Sequence, residues 1–394
     1  MKHSCVPLGE LVTISGGGTP SRNNDAYWSG SIPWATVKDL KDTTLSGTQE
    51  KITPKGLSDS ASNLIPAGSV IVATRMGLGK VAVNTIDVTI NQDLKAFSCC
   101  ADLEPRYLLY FLLVNASHLD SMGKGATVKG ITLDVLKDLS VPLPPLPEQK
   151  RIAAMLDKAD SVRRKRQEAV RLTEELLRSV FLDMFGDPVT NPKGWGTCCL
   201  GDVIQKIESG WSPVCEERHA EENEWGVLKL GAVTTCRYLD TESKALPTGI
   251  SPRPDMEVKA GDLLFTRKNT YDLVAASALV YATRPKLMLS DLIFRLKLKD
   301  DSAVISEYLW ALLSSAGKRK QIQSLAGGSS GSMPNISKSK LMEQMIEVPP
   351  IALQKKYANI LHGNYRIKNK LEDAIKSSDT LFNSLLQRAF KGEL

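Results

Sequence analysis

The chain has 394 residues and a formal charge of +6, from 50 Lys and Arg against 44 Asp and Glu. That length is too much for one ordinary core and implies two or three domains. With 42% hydrophobic and 24% charged residues the composition is globular, which excludes a largely disordered chain, and no stretch reaches the roughly 18 apolar residues of a membrane span. Met1-Lys2-His3-Ser4-Cys5 leads straight into polar and turn-forming residues, so no secretory signal is read there. The seven cysteines (Cys5, Cys99, Cys100, Cys198, Cys199, Cys215 and Cys236) form no C-x-x-C pair, which argues against a zinc site or a disulfide framework. The expectation is a soluble, reduced, cytoplasmic protein. Its mild positive charge permits nucleic-acid binding without demanding it.

In chain order, Val70–Ala73 and Val81–Val83 read as strands: short apolar runs bounded by Gly, Asn and Asp. A short helix is expected over Pro105–Val114. The run Pro142-Leu143-Pro144-Pro145-Leu146-Pro147 follows. Proline fixes the backbone and cannot continue a strand, so this joint should be stiff and extended. Pro147 suits the first turn of a helix, and Glu148 favours the positive end of its dipole. From there Ile152, Met155, Ala159, Val162, Ala169, Thr173, Leu176 and Val180 keep heptad spacing until Gly186 and Pro188. Residues 150–184 as one helix would span roughly 50 Å.

The second half follows the same plan. Leu263–Phe265 and Ala278–Tyr281 read as strands, Ser306–Ser314 as a helix, and Pro349-Pro350 as a joint. A second long helix carries Tyr357, Ile360, Asn364, Ile367, Leu371, Ala374, Ser378, Leu381 and Leu385 up to Gly392. Four sequence blocks recur in the same order. Leu8-Gly9-Glu10-Leu11-Val12 returns as Leu200-Gly201-Asp202-Val203-Ile204, and Pro66 to Arg75 as Lys259 to Arg267 with one residue fewer. Val141 to Lys150 returns as Glu347 to Lys355, setting Gln149 against Gln354, and Ser179 to Gly186 returns as Ser384 to Gly392. A period of about 200 is too long for a solenoid. The chain reads as two copies of a domain-plus-helix unit. A helix this long with one apolar stripe needs a partner, and the other copy supplies it as an antiparallel coiled coil, with Arg166, Asn364 and Ser378 as polar breaks that fix register.

With Pro142 to Ile152 opening the central helix, and Phe185-Gly186-Asp187-Pro188 with Asn191-Pro192-Lys193-Gly194-Trp195 closing it, the chain resembles the specificity subunit of type I restriction–modification systems. Leu8-Gly9-Glu10, Asn335-Ile336-Ser337 and the terminal Phe390 to Leu394 also fit, and the resemblance covers the whole chain. It implies an α+β fold of two globular mixed α/β target recognition domains, separated by two long antiparallel helices in a coiled coil with an internal pseudo-two-fold repeat. The expected domains are 1–146, a first recognition domain; 147–187, a central helix; 188–348, a second recognition domain; and 349–394, a terminal helix. The resemblance further implies a non-catalytic subunit that reads a bipartite, asymmetric sequence in double-stranded DNA. The partners would be two DNA adenine methyltransferase subunits, which bind S-adenosylmethionine, and a helicase–nuclease subunit can join. No cofactor is expected in this chain. A self-contained DNA modification enzyme and a coiled-coil scaffold that binds only protein stay open as alternatives.

Candidate site residues follow from chemistry. Gly77-Leu78-Gly79-Lys80 is not a phosphate loop, because Thr74 and Val81 stand where the first Gly and the Ser or Thr are needed. A basic turn near DNA, with Arg75 and Lys80 beside glycines that admit a phosphate, stands against an ordinary hairpin. Arg267-Lys268-Asn269 occupies the matching place, and Arg pairs bidentately with guanine and Asn with adenine; pairing of the arginine with a carboxylate is the structural alternative. Segment 123–130, with Lys124 and Lys129, and the uncharged 327–332 followed by Lys338 could clamp a backbone or be plain loops. Arg163, Arg164 and Arg166 on the central helix are candidates for partner or DNA contact, or form pairs with Asp157 and Asp160. Lys368 and Lys370 are partner-contact candidates on the terminal helix. No adenine-methyltransferase tetrapeptide occurs; Asn191-Pro192 only begins like one.

Overall fold

The computed structural model describes residues 4–123, 129–327 and 333–394. It falls into two units: residues 1–168 with 372–394, and residues 169–371. Each unit contains a globular part and a stretch of both long helices.

Unit 1 is built on a five-stranded sheet ordered Val12–Gly16, Leu94–Cys99, Val70–Ala73, Val81–Asn84, Thr44–Leu45. Its pairs are antiparallel except the last. Val70–Ala73 is buried on both faces. Side chains alternate across a strand: Val70 and Val72 join one core with Val81, Val83 and Phe97, and Ile71 and Ala73 join another with Ala82, Ala96 and Ile90. A smaller four-stranded sheet holds Glu50–Ile52, Trp28–Ala35, Val88–Ile90 and Leu64–Ile65. The helix Pro105–Val114 starts on a proline, where no amide is needed, and buries Tyr107, Leu108 and Phe111 in the first core. Ile152, Ala153 and Leu156 from the central helix and Phe382, Leu386 and Ala389 from the terminal helix complete that core.

Unit 2 repeats the frame. Its main sheet is ordered Ile204–Ser209, Ile293–Leu298, Leu263–Thr266, Ser277–Leu279, all antiparallel. Gly226–Leu228 lies between Ser243–Ala245 and Leu287–Met288 in a smaller sheet. Phe181 and Phe185 of the central helix and Tyr357 of the terminal helix interlock with Tyr308, their ring centroids 4.9–6.2 Å apart. The fourth strand is Ser277–Leu279 rather than Ala278–Tyr281.

The central helix is Leu146–Phe185, 40 residues, and the terminal helix Ile351–Lys391, 41 residues. The first begins inside the proline joint, since Pro147 in the first turn has no helical hydrogen bond to lose. In both units the helices run antiparallel: Arg163 faces Phe382 and Arg166 meets Ala374 in unit 1, and Phe181 faces Tyr357 and Thr173 meets Asn364 in unit 2. The phase of the buried stripe differs from the heptad expectation. Val162, Leu176, Ile367 and Leu381 are 43, 55, 55 and 58% exposed, whereas Leu156, Asp160, Phe181, Lys368 and Phe382 are buried. The reason is that each helix stretch packs on a globular core as well as on the other helix, which selects a different face from that of a two-stranded seam. Arg166, Asn364 and Ser378 do sit between the helices, as hydrogen-bonding residues.

Candidate nucleic-acid interface

In unit 1 the strands Val70–Ala73 and Val81–Asn84 are joined by a turn over 74–80. The Ala73 amide donates to the Lys80 carbonyl at 3.0 Å, and the Lys80 amide to Gly77 at 3.1 Å. Gly79 has φ +86°, and a Cβ there would lie 2.9 Å from Ala116 Cβ, so the turn rests on the start of the helix Ala116–Met122. Segment 74–80 lies beside residues 129–131. Arg75 forms an isolated β-bridge with Gly130, and the Ile131 amide donates to the Thr74 carbonyl at 3.0 Å. Arg75, Lys80 and Lys129 are exposed. Lys129 pairs with Asp120 at 2.7 Å, and Lys80 Nζ lies 3.5 Å from the Val37 carbonyl. Lys124 lies outside the described residues.

Unit 2 has the same construction. The Thr266 amide donates to Ala276 at 2.8 Å, Lys268 bridges with Asn335, and the Ile336 amide donates to the Arg267 carbonyl at 2.8 Å. Segment 328–332 lies outside the described residues. These bonds correct the sequence match by one residue. Thr74 corresponds to Arg267 and Arg75 to Lys268, because the amides of Thr74 and Arg267 both donate into the lead of the next strand, at Asp93 and Leu292. Gly68 and Gly261, at φ +88° and +93°, open equivalent strands, and no residue is missing between them and the turn.

The one-residue shift separates frame from surface. Arg267 lies over the Phe294 ring at 5.3 Å and donates to Asn335 Oδ1 at 3.1 Å; its partner is an amide rather than a carboxylate. Asn269 is buried, and its Oδ1 accepts from the Thr270 amide at 2.9 Å. Lys338 donates to the Ile207 carbonyl at 2.7 Å. Lys268 is half-buried. Spacing had no way to mark Met76, Tyr271 and Leu273, which stand 67, 56 and 40% exposed in the same two turns; large apolar residues among glycine, asparagine and aspartate were the available signal.

The helix candidates have intramolecular partners. Asp160, fully buried, accepts from Arg163 at 2.7 Å and Thr43 at 3.1 Å and forms an ion pair with Arg164 at 3.0 Å, so Asp160 makes the expected helical pairs. Asp157 pairs with Arg106 instead. Arg163 also reaches Asp379 at 3.9 Å, and Arg166 donates to the Ala374 carbonyl at 2.7 Å and to the Ser378 hydroxyl. In unit 2 Lys368, buried, pairs with Glu174, which Arg237 meets at 3.1 Å. Burial acts to raise the Glu174 carboxyl, but the Lys368 hydrogen bond and charge, with Arg237, outweigh it and hold it below its ordinary value. Lys370 is exposed. Among the described residues no group of His, Cys, Asp and Glu is placed to hold a metal, and no helix is long and apolar enough to cross a membrane.

Comparison with known proteins adds a family. A model described as "Type I restriction modification DNA specificity domain" matches residues 4–172 and 192–378. The chain is 33% identical over 226 residues to the type I restriction enzyme EcoEI specificity subunit of Escherichia coli, covering 56% of this chain and 38% of that one. It is 29% identical over 221 residues to the MjaIX specificity subunit of Methanocaldococcus jannaschii, covering 51% of each. These alignments span about half or less of the relatives' length. The fold resembles that of the S subunit of a type I restriction–modification system from M. genitalium, with a TM-score of 0.61 and 13% identity over 98% of this chain and 96% of that chain.

Proposed function

Because the chain belongs to the type I restriction–modification DNA specificity family, we propose that it is the sequence-reading subunit of a type I restriction–modification complex. Each unit reads one half of a split, asymmetric target in double-stranded DNA. The two long helices set the gap between the half-sites and dock two adenine methyltransferase subunits, which bind S-adenosylmethionine and supply the chemistry; a helicase–nuclease subunit completes the restriction enzyme. The chain itself performs no catalytic step.

The observation that carries this reading is the recurrence of one construction in both units. A strand-to-strand turn is bridged to a second segment, with a basic residue, Arg75 or Lys268, at the bridge. The turns differ in length and residue type. A shared frame with unlike tips is what two readers of unlike half-sequences require. Phosphate contacts by Lys and Arg would supply most of the affinity, and a few side chains per unit the specificity. Purified with its methyltransferase partner, the chain should bind one bipartite duplex with steep salt dependence. Equal binding to all duplexes at physiological salt would refute the reading.

A further inference from the structure

Each turn lifts apolar side chains into water beside a basic residue, on a backbone held from below. In unit 1 Met76, at φ +57°, is 67% exposed above a turn closed by the Lys80–Gly77 hydrogen bond. Measured between the hydrogen bonds that close them, Ala73 to Lys80 in unit 1 and Thr266 to Ala276 in unit 2, the second turn is three residues longer. Tyr271 and Leu273 occupy it, 56% and 40% exposed. Its backbone is braced by the helix Ala316–Gln323: Arg319 donates to the Asp272 carbonyl at 3.0 Å, and Gln323 to the carbonyls of Asp272 and Val274, each at 3.2 Å.

Large apolar side chains held in solvent on braced backbone contribute little to the folded unit and are suited to a partner surface. Tyrosine has only two side-chain torsions, so fixing it against a partner costs little entropy. A lysine or arginine on a phosphate sets the depth at which its neighbours meet the groove. There the apolar feature on a base edge is the thymine methyl, and a base face is reached only where a step is unstacked. The geometry points to Met76 in unit 1 and Tyr271 with Leu273 in unit 2 as specificity-determining side chains that meet bases, beside Arg75 and Lys268 on the backbone. This rests on the DNA-recognition reading above. It adds which side chains read, and it makes the extra length of the second turn the reason the two half-sequences differ.

The test is to produce wild-type and variant chains with the methyltransferase partner in a host free of other adenine methylation, and to map methylated adenines along the genome. Tyr271→Ala and Leu273→Ser should each broaden one or two positions in one half of the motif, with preference falling on the order of 10-fold and the other half unchanged. Met76→Ser should broaden only the opposite half, and Tyr271→Phe should keep the wild-type motif. Half-motifs unaltered in all three variants would overturn the proposal. So would a uniform loss of methylation by a variant that still assembles with its partner, which would make the tips general anchors. If Tyr271→Ala does not assemble, Leu273→Ser carries the same test. A wild-type chain that directs no bipartite motif would instead refute the DNA-recognition reading.

Discussion

Gln149 and Gln354, 205 residues apart in the chain, make the same three hydrogen bonds in their separate units. Gln149 Nε2 donates to the carbonyls of Asp102 and Pro144 at 2.8 and 2.9 Å, and its Oε1 accepts the Glu104 amide at 2.9 Å. Gln354 Nε2 donates to Ala303 and Pro349 at 2.9 and 2.7 Å, and its Oε1 accepts the Ile305 amide at 3.0 Å. Both side chains are fully buried. Each ties the start of a long helix to the residue capping the domain helix, Pro105–Val114 or Ser306–Ser314. Beside each, a tyrosine hydroxyl donates into the strand before the joint, Tyr107 to Pro142 at 2.8 Å and Tyr308 to Glu347 at 3.0 Å.

Replacing either glutamine by leucine strands one buried amide and two carbonyls. Gln149→Leu and Gln354→Leu should each cost on the order of 2 kcal/mol or more, read from denaturant midpoints. The two losses should agree within about 1 kcal/mol; a large loss in one and none in the other would mean that the equivalence is only geometric.

Lys318 and Glu347 form a buried pair at 2.7 Å, with Lys318 also donating to the Met345 carbonyl at 3.1 Å. Lys318→Met leaves a carboxylate in the core and should destabilise unit 2 by roughly 3–5 kcal/mol. Adding Glu347→Leu should recover much of that loss, because the stranded charge is the main penalty. Equilibrium unfolding of the single and double variants measures the recovery.

Glu174 is held below its ordinary value in the folded state, so its pairing stabilises unit 2 above the unfolded value, near ~4.3. That contribution is lost as pH falls through the folded value. Lys368→Met should therefore lower stability at neutral pH and reduce the further loss as pH falls below the ordinary carboxylate range, a flatter acid limb in a thermal-midpoint profile.

Arg267 and Lys268 should separate in their effects. Arg267→Ala removes the contacts with Asn335 and the Phe294 ring and should lower the thermal midpoint. Lys268→Ala and Lys80→Ala should leave the midpoint almost unchanged and reduce the slope of log affinity against log salt by about one each. Fluorescence anisotropy with the assembled complex at several salt concentrations provides the measurement.

If helix length sets the gap, inserting seven residues into both helices, after Glu168 and after Leu371, should lengthen the unread spacer by about three base pairs, at about 1.5 Å per helical residue and 3.4 Å per base pair. Motif mapping of the methylated sites reads the spacer directly, and an unchanged spacer would detach it from the helices.

Much of this fold was legible because the repeated residues do the same physical work twice. Gln149 and Gln354, the proline joints, and the aromatic ends of the long helices recur because each closes a core of the same shape. The buried face of the helices was harder to read. Asp160 and Lys368 lie off the expected stripe yet are buried, while Val162, Leu176, Ile367 and Leu381 lie on it and are exposed, so hydropathy named the face only in part: Ile152, Tyr357, Asn364 and Ser378 are buried as expected. The candidate site was legible as two segments per unit but not in register. Arg75 and Arg267 look alike beside their threonines, but strand pairing aligns Arg75 with Lys268, and only hydrogen bonds across the sheet distinguish the two alignments.

The division of the helices between the units bears on how the protein is made. The first core is closed by Phe382, Leu386 and Ala389, which the ribosome adds only after every residue of unit 2 (169–371). Unit 2 is contiguous and can close as soon as its own stretch has emerged. A chain ending at residue 371 keeps every residue of the second core but lacks Phe382, Leu386 and Ala389, and so leaves Ile152, Leu156 and the Pro105–Val114 helix uncovered in unit 1. Such a released fragment should hold a closed second unit and an open first one, so proteolysis should concentrate on unit 1.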